Sequence, residues 1–553
     1  MEGAVLSGWA ALAELATRVR VLAVDGPEIA PWDELVDQVQ RLLGEHGVIV
    51  ETLDARHGMA SWTTIVALTS STELADDPDF ESLASVALED LFEQPVQAEP
   101  SGPSVTVIFG PGAALSDHDL LWYFDQPKRC AEAAVATGSA RNLGQRDVSD
   151  KSTTRRLFYV DWPILDRHRE TIAPAVSLWI DGQDARRPSA LEARTLAATA
   201  AALVHQPFRT RPIFNTTPWG GHWGQRQLGV GTDQPNTAVG YELIAPESGV
   251  LIGDRADLTV EVPFQLLVSL CPTELLGEEV HDRFGTSFPI RFDYLDTVDG
   301  SDLSVHCHPQ AGFMHEIFGW PYTQHESYYV MVAGNGGNIF LGLRDDADID
   351  AFHADAVRAE QTGEPFDICR HIQTFPAVAH QLYLVPAGTP HGSGVGNVVL
   401  EVSATPYLYS LRFYDWLRRD EDGRQRPVHV ELAFRNLDRE RRGNQVAADL
   451  VAVLRPQRSG PGWREDVLAD LPEMFFDVRR LELEPDSQLD DDTAGRFQVL
   501  TVVEGAGVAI VTAAGRRVLL AYAETAVVPA AVGAYTVAAC GCERVRVVKA
   551  QVR

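Results

Sequence analysis

The stretch Leu303-Ser-Val-His-Cys-His-Pro309 constrains the fold more than any other part of this chain. Its alternation of apolar and polar residues reads as a strand, and a period of two places His306 and His308 on one face. Two imidazoles side by side in an apolar setting leave several polar atoms to satisfy, which a bound cation does better than a packed core. Glu326, in Thr323-Gln-His-Glu-Ser-Tyr-Tyr329, precedes the apolar run Val330-Met-Val332, where a carboxylate needs a partner. His391, at the end of Val385-Pro-Ala-Gly-Thr-Pro-His391, offers a third imidazole. Three histidines and one glutamate form a donor set for a borderline divalent cation.

Length and charge bound what this centre belongs to. A chain of 553 residues has room for about three domains. The formal net charge of -32 opposes nucleic acid and anionic membrane as partners, because the summed field repels polyanions. Lysine occurs only at Lys128, Lys151 and Lys549, which argues against Schiff-base chemistry at the histidine strand. The cysteines are scattered, without zinc-finger spacing, and no leader-like or membrane-spanning apolar run is found, so a cytoplasmic location is expected.

Residues 1–205 read as an α/β domain. Strand candidates at 21–27, 46–54, 105–109 and 121–125 alternate with helices, notably 33–43, and imply a parallel sheet. In layout this domain resembles the uridine-kinase or nucleoside-kinase branch of P-loop proteins. The turn where a phosphate loop would lie is Asp25-Gly-Pro-Glu-Ile-Ala-Pro-Trp32, with no lysine, so a scaffold that no longer transfers phosphate is expected. Arg141, Arg146, Arg155 and Arg156 form a basic stretch suited to an anion, or more simply to a solvated loop. A boundary falls near Gln206-Pro-Phe-Arg-Thr-Arg-Pro212.

Residues 206–440 then alternate short strands with Gly, Pro and Asp turns, as a cupin or jelly-roll barrel does. Trp219-Gly-Gly221, the 303–309 strand, His325-Glu326, Pro386-Ala-Gly-Thr-Pro-His391, Leu400-Glu401, Arg412-Phe-Tyr-Asp415 and Arg426-Pro-Val-His-Val-Glu431 together resemble the ordered landmarks of the type I mannose-6-phosphate isomerases, which are zinc cupins. The resemblance covers about residues 212–440. It implies Zn2+, with another divalent metal as the alternative, and His308, Glu326 and His391 match three family ligands. His306 stands where the family usually has glutamine, and Gln324 where a lysine is frequent. The implied reaction is aldose-ketose isomerisation of a phosphorylated hexose through a cis-enediol intermediate. Such a shift needs a base beside the carbon and a stabiliser for developing charge. Glu401 is the candidate base, ahead of His325 and Tyr409, and Arg412 the candidate for holding the enediolate or the phosphate. The simpler reading has Glu401 and Arg412 pairing with each other.

Residues 441–553 repeat short β units at 497–505, 507–511 and 525–530 and look like a second, non-metal cupin barrel. No histidine follows His429, which excludes an imidazole centre there. Residues 345–362 read as a short helical insertion that either packs between strands or covers the pocket mouth. Two further functions suit the same four ligands: a cupin dioxygenase, and a non-catalytic sugar-binding regulator. The sequence leaves the oligomeric state open.

Overall fold

The structure, a computed structural model, describes residues 5–17, 19–99, 104–146, 152–420 and 423–553, so Lys151 lies outside the described residues. It separates into two compact units. The first contains Met1–Ala201, Gly249–Leu270 and Ile317–Gly319, and the second Ala202–Ser248, Cys271–Glu316 and Trp320–Arg553.

The first unit is built on a seven-stranded sheet of β1 (Leu6–Ser7), β2 (Val21–Asp25), β3 (Val50–Asp54), β4 (Val105–Phe109), β5 (Leu120–Asp125), β6 (Leu178–Asp181) and β7 (Ser189–Glu192), in the order β1-β7-β6-β5-β2-β4-β3. The run from β3 through β4, β2 and β5 to β6 is parallel, as the alternation of strands and helices implies, while β7 and β1 add an antiparallel edge. β2 and β4 are buried along their whole length, which is why they read as unbroken apolar runs. Helix Trp32–Glu45 buries Leu35, Val36, Val39, Leu42 and Leu43 against them, a helical spacing of one apolar face. The hairpin Gly249–Arg255 with Leu258–Pro263 belongs to this unit. It forms its own two-stranded sheet, apart from the larger β layers, and is tied down by the Glu261 amide donating to Asp181 at 2.8 Å and by Arg129 pairing with Glu261 at 2.7 Å.

The second unit holds four antiparallel sheets. A six-stranded sheet runs in the order Leu382–Val385, Glu326–Val332, Val398–Ala404, Ile290–Asp296, Val239–Leu243, Ile213–Asn215. A five-stranded sheet runs Ile372–Pro376, Asn338–Leu343, His391–Ser393, Val305–Cys307, Leu411–Tyr414. Further along, a six-stranded and a four-stranded sheet enclose Leu481, Leu500, Val502, Ile510, Val537 and Val547, all without solvent exposure. Helix Ile349–Thr362 is capped by Asp348, whose side chain accepts from the Asp350 and Ala351 amides, and it ends at Gly363 in the left-handed region. Phe352 on this helix sits among Phe413, Phe434 and His371, so the inserted helix is packed in place by an aromatic cluster. All six cysteines are free, and among the described residues no helix is long and apolar enough to cross a membrane.

Candidate metal centre

Strand register assembles the site. His306 lies opposite His391 on one side and opposite Arg412 on the other, so three neighbouring strands of the five-stranded sheet present these side chains in one row. Facing them, the six-stranded sheet presents a row in which Glu326 lies opposite Ser403 and Ser403 opposite Arg291, followed by a row of Tyr328, Glu401 and Asp293.

The two sheets meet at Glu326. Its Oε1 stands 2.7 Å from His308 Nε2 and its Oε2 3.1 Å from His391 Nε2. Ligand nitrogens of His306, His308 and His391 all lie within 4.8 Å of one another, and the three residues are buried. Each imidazole is oriented by a backbone carbonyl at Nδ1: Ser304 for His306 at 2.9 Å, Tyr409 for His308 at 3.2 Å, and Thr389 for His391 at 2.9 Å. A proton fixed on Nδ1 leaves the Nε2 lone pair free, as a metal ligand requires. His308 Nε2, His391 Nε2 and Glu326 Oε2 are buried with no hydrogen bond to satisfy them. Such groups are costly unless something completes them, and a divalent cation held by three imidazoles and a carboxylate does so. The residues present therefore fit a metal.

Electrostatics agree with this arrangement. Burial, reinforced by the neighbouring imidazoles His391 and His308, holds His306 well below the usual imidazole range. Burial likewise lowers His308, against the pull of Glu326. For Glu326 burial acts upward, but His308 and His391 outweigh it and keep the carboxylate well below its ordinary range. Neutral imidazoles and an ionised carboxylate are the protonation states a cation needs.

The structure brings all four sequence-expected ligands together. Glu401 is buried in the second row and is paired with Arg291, not with Arg412, and Ser403 Oγ donates to it at 2.9 Å. Burial pushes this carboxyl well above its usual range although Arg291 opposes the shift. Arg412 donates from Nη1 to the Pro427 carbonyl at 2.9 Å. Gln324 donates to Glu326 Oε1 and leaves its own Oε1 buried without a hydrogen bond. His325 accepts from the Ala387 amide at 3.2 Å, and burial lowers it to about 4. Sequence reasoning missed Arg291 and Asp293. The signal was available: Arg291 and Asp293 stand at alternate positions among Ile290, Phe292, Tyr294 and Leu295 of the fully buried strand Ile290–Asp296.

A cluster of three buried histidines and a glutamate able to hold a metal ion, between antiparallel sheets, in a chain that also carries a largely parallel α/β sheet, defines the class of protein. Within that class, sequence comparison relates the chain to the mannose-6-phosphate isomerases. It is 25% identical over 250 residues to mannose-6-phosphate isomerase of Streptococcus mutans, a match covering 44% of this chain and 67% of that protein. It is 29% identical over 160 residues to a probable mannose-6-phosphate isomerase of Bacillus subtilis, covering 27% of this chain and 44% of the relative. Among solved structures, the Bacillus subtilis mannose 6-phosphate isomerase crystal structure aligns with a TM-score of 0.48 at 18% identity, over 63% of this chain and 99% of that one. A zinc-bound mannose 6-phosphate isomerase aligns at 0.47 and 16%, over 63% and 99%. Residues 8–205 match a family model described as a domain of unknown function, DUF8485. The kinase-like reading of that segment rests on its layout alone.

Proposed function

We propose that this protein is a metal-dependent isomerase that interconverts the aldose and ketose forms of a phosphorylated hexose, with Zn2+ held by His306, His308, Glu326 and His391. The observation that supports the reading is the set of three clustered, carbonyl-oriented imidazoles, two of which, His308 and His391, turn otherwise unsatisfied Nε2 atoms toward Glu326. A divalent cation in this donor set supplies Lewis acidity toward the carbonyl and hydroxyl oxygens of a sugar. Glu401 is the proposed proton carrier between C1 and C2 through a cis-enediol. Burial raises this carboxyl above its ordinary range, which strengthens it as a proton acceptor. Arg291 and Ser403 orient it. Arg412, in the row of His306, is the proposed holder of an anionic oxygen of the substrate. The first 205 residues, the central 206–440 and the terminal 441–553 are read as three domains, the first a scaffold without phosphate transfer.

The test is to incubate purified, metal-analysed protein with mannose 6-phosphate in deuterated water. The reading requires fructose 6-phosphate, solvent deuterium at the exchanged carbon, and loss of both on chelation. Bound metal with no exchange into any hexose phosphate would refute isomerisation.

A further inference from the structure

An open cleft of about 490 Å³ lies in the first unit at the carboxyl edge of its parallel sheet. Its walls come from the connection after β2 (Glu28 to Glu34), from Arg56 just after β3, and from Ala134, Ser139, Ala140 and Arg141 at and beyond the end of helix Lys128–Ala136, which follows β5. β2 is the strand at which the order turns, with β4 and β3 on one side and β5 and β6 on the other. In open α/β sheets this crevice, outside the carboxyl ends at the switch in strand order, is where small ligands bind.

The lining indicates what enters. Glu28 and Arg56 form a buried ion pair at 2.9 Å, with side chains 9% and 17% exposed. Arg56 spends Nε and Nη2 on Asp54, each at 2.9 Å. Arg146 caps the same Asp54 at 2.7 Å. Glu28 Oε1 is taken by Arg56, the Gly144 amide faces the carboxylate, and Oε2 has no hydrogen bond. The helix that opens onto the cavity, Trp32–Glu45, carries Asp33 and Glu34 in its first turn. Those carboxylates occupy the positive end of the helix dipole that a phosphate would use. A phosphate ester would meet three carboxylates, and a free cation would meet Arg56 and Arg141. A zwitterion needs unpaired charges, and here Glu28 and Arg56 already neutralise each other. A hydroxyl is both donor and acceptor, so a pair of adjacent hydroxyls exchanges hydrogen bonds with the carboxylate and the guanidinium without separating them.

We propose that this cavity is a binding site for an uncharged small molecule bearing a vicinal diol, either a free monosaccharide or the ribose of a nucleoside, held by Glu28 and Arg56. It does not rest on the isomerase reading.

The probes are D-mannose and uridine, added separately to the full chain and followed by saturation-transfer NMR. Binding of either one supports the site and identifies the source of the diol. Glu28→Gln is expected to weaken that binding at least tenfold. Ala134→Leu, which fills the cavity from a half-buried helix position, is expected to do the same while the melting curve stays that of the parent. His308→Ala, which disables the central centre, is expected to leave it unchanged. The site is overturned if neither probe binds, if binding persists in both cavity variants, if it vanishes in His308→Ala, or if magnesium ATP or glycine competes for it.

Discussion

Arg291 donates from Nη2 to the Glu401 carboxylate of the adjacent strand, and the same guanidinium reaches Ser403 Oγ at 2.6 Å and Glu326 Oε1 at 3.4 Å. One cation thus serves three buried acidic groups, Glu401, Asp293 and Glu326, beside the histidine cluster. Replacing it by an apolar residue, Arg291→Met, leaves Glu401 and Asp293 buried without a counter-charge. Removing one partner of a buried pair costs about 3–5 kcal/mol, and denaturant unfolding is expected to show a loss of that order.

Metal content separates the ligands from the residues assigned to chemistry. Elemental analysis of His308→Ala and Glu326→Ala is expected to show at least a tenfold drop in bound divalent metal per chain. Glu401→Gln and Arg412→Ala are expected to keep the parent content while hexose-phosphate turnover falls about a hundredfold, the scale of one general base. Metal loss in Glu401→Gln would move Glu401 into the coordination shell.

Helix Ile349–Thr362 is held by Phe352, whose ring centroid lies 4.8 Å from those of both His371 and Phe434. Truncating a buried phenylalanine costs about 3–5 kcal/mol, so Phe352→Ala is expected to lower the melting temperature while KM changes less than twofold. A helix acting as a lid would instead raise KM.

Glu242 provides the pH dependence. Burial raises its carboxyl to about 7 against the opposing influence of Arg209. Between about 4.5 and 7 the folded chain holds a proton that the unfolded chain releases, so this group's contribution is complete below pH 4.5 and is lost as pH rises to 7. The upper bound is about 3 kcal/mol. Melting temperatures measured from pH 4.5 to 8 are expected to decline less steeply in Glu242→Gln than in the parent.

The clustering of His306, His308, Glu326 and His391 was legible because a strand's period of two puts His306 and His308 on one face, and because Glu326 and His391 are polar residues at the ends of apolar runs. β2, β4 and helix Trp32–Glu45 were legible for the same reason, since burial on both faces or on one face writes itself into the residue pattern. The partner of Glu401 was not. Arg291 and Arg412 are both arginines on strands, and only the register of Ile290–Asp296 against Val398–Ala404 decides between them. The hairpin Gly249–Pro263 alternates like any strand of the neighbouring layers, so its membership of the first unit depends on the Asp181 and Arg129 contacts with Glu261, which are remote in sequence. The antiparallel strands β1 and β7, of two and four residues, are too short to carry a period at all.

The carbonyls that orient the three imidazoles belong to Ser304, Thr389 and Tyr409, segments that only the finished sheets bring together. An unfolded chain therefore offers a cation no comparable seat, and occupancy becomes a term in the folding equilibrium. At a free concentration one hundred times the dissociation constant, mass action adds about 2.7 kcal/mol to the native state. The melting temperature of this protein should then climb with the logarithm of added metal, which would make the cluster a staple of the second unit.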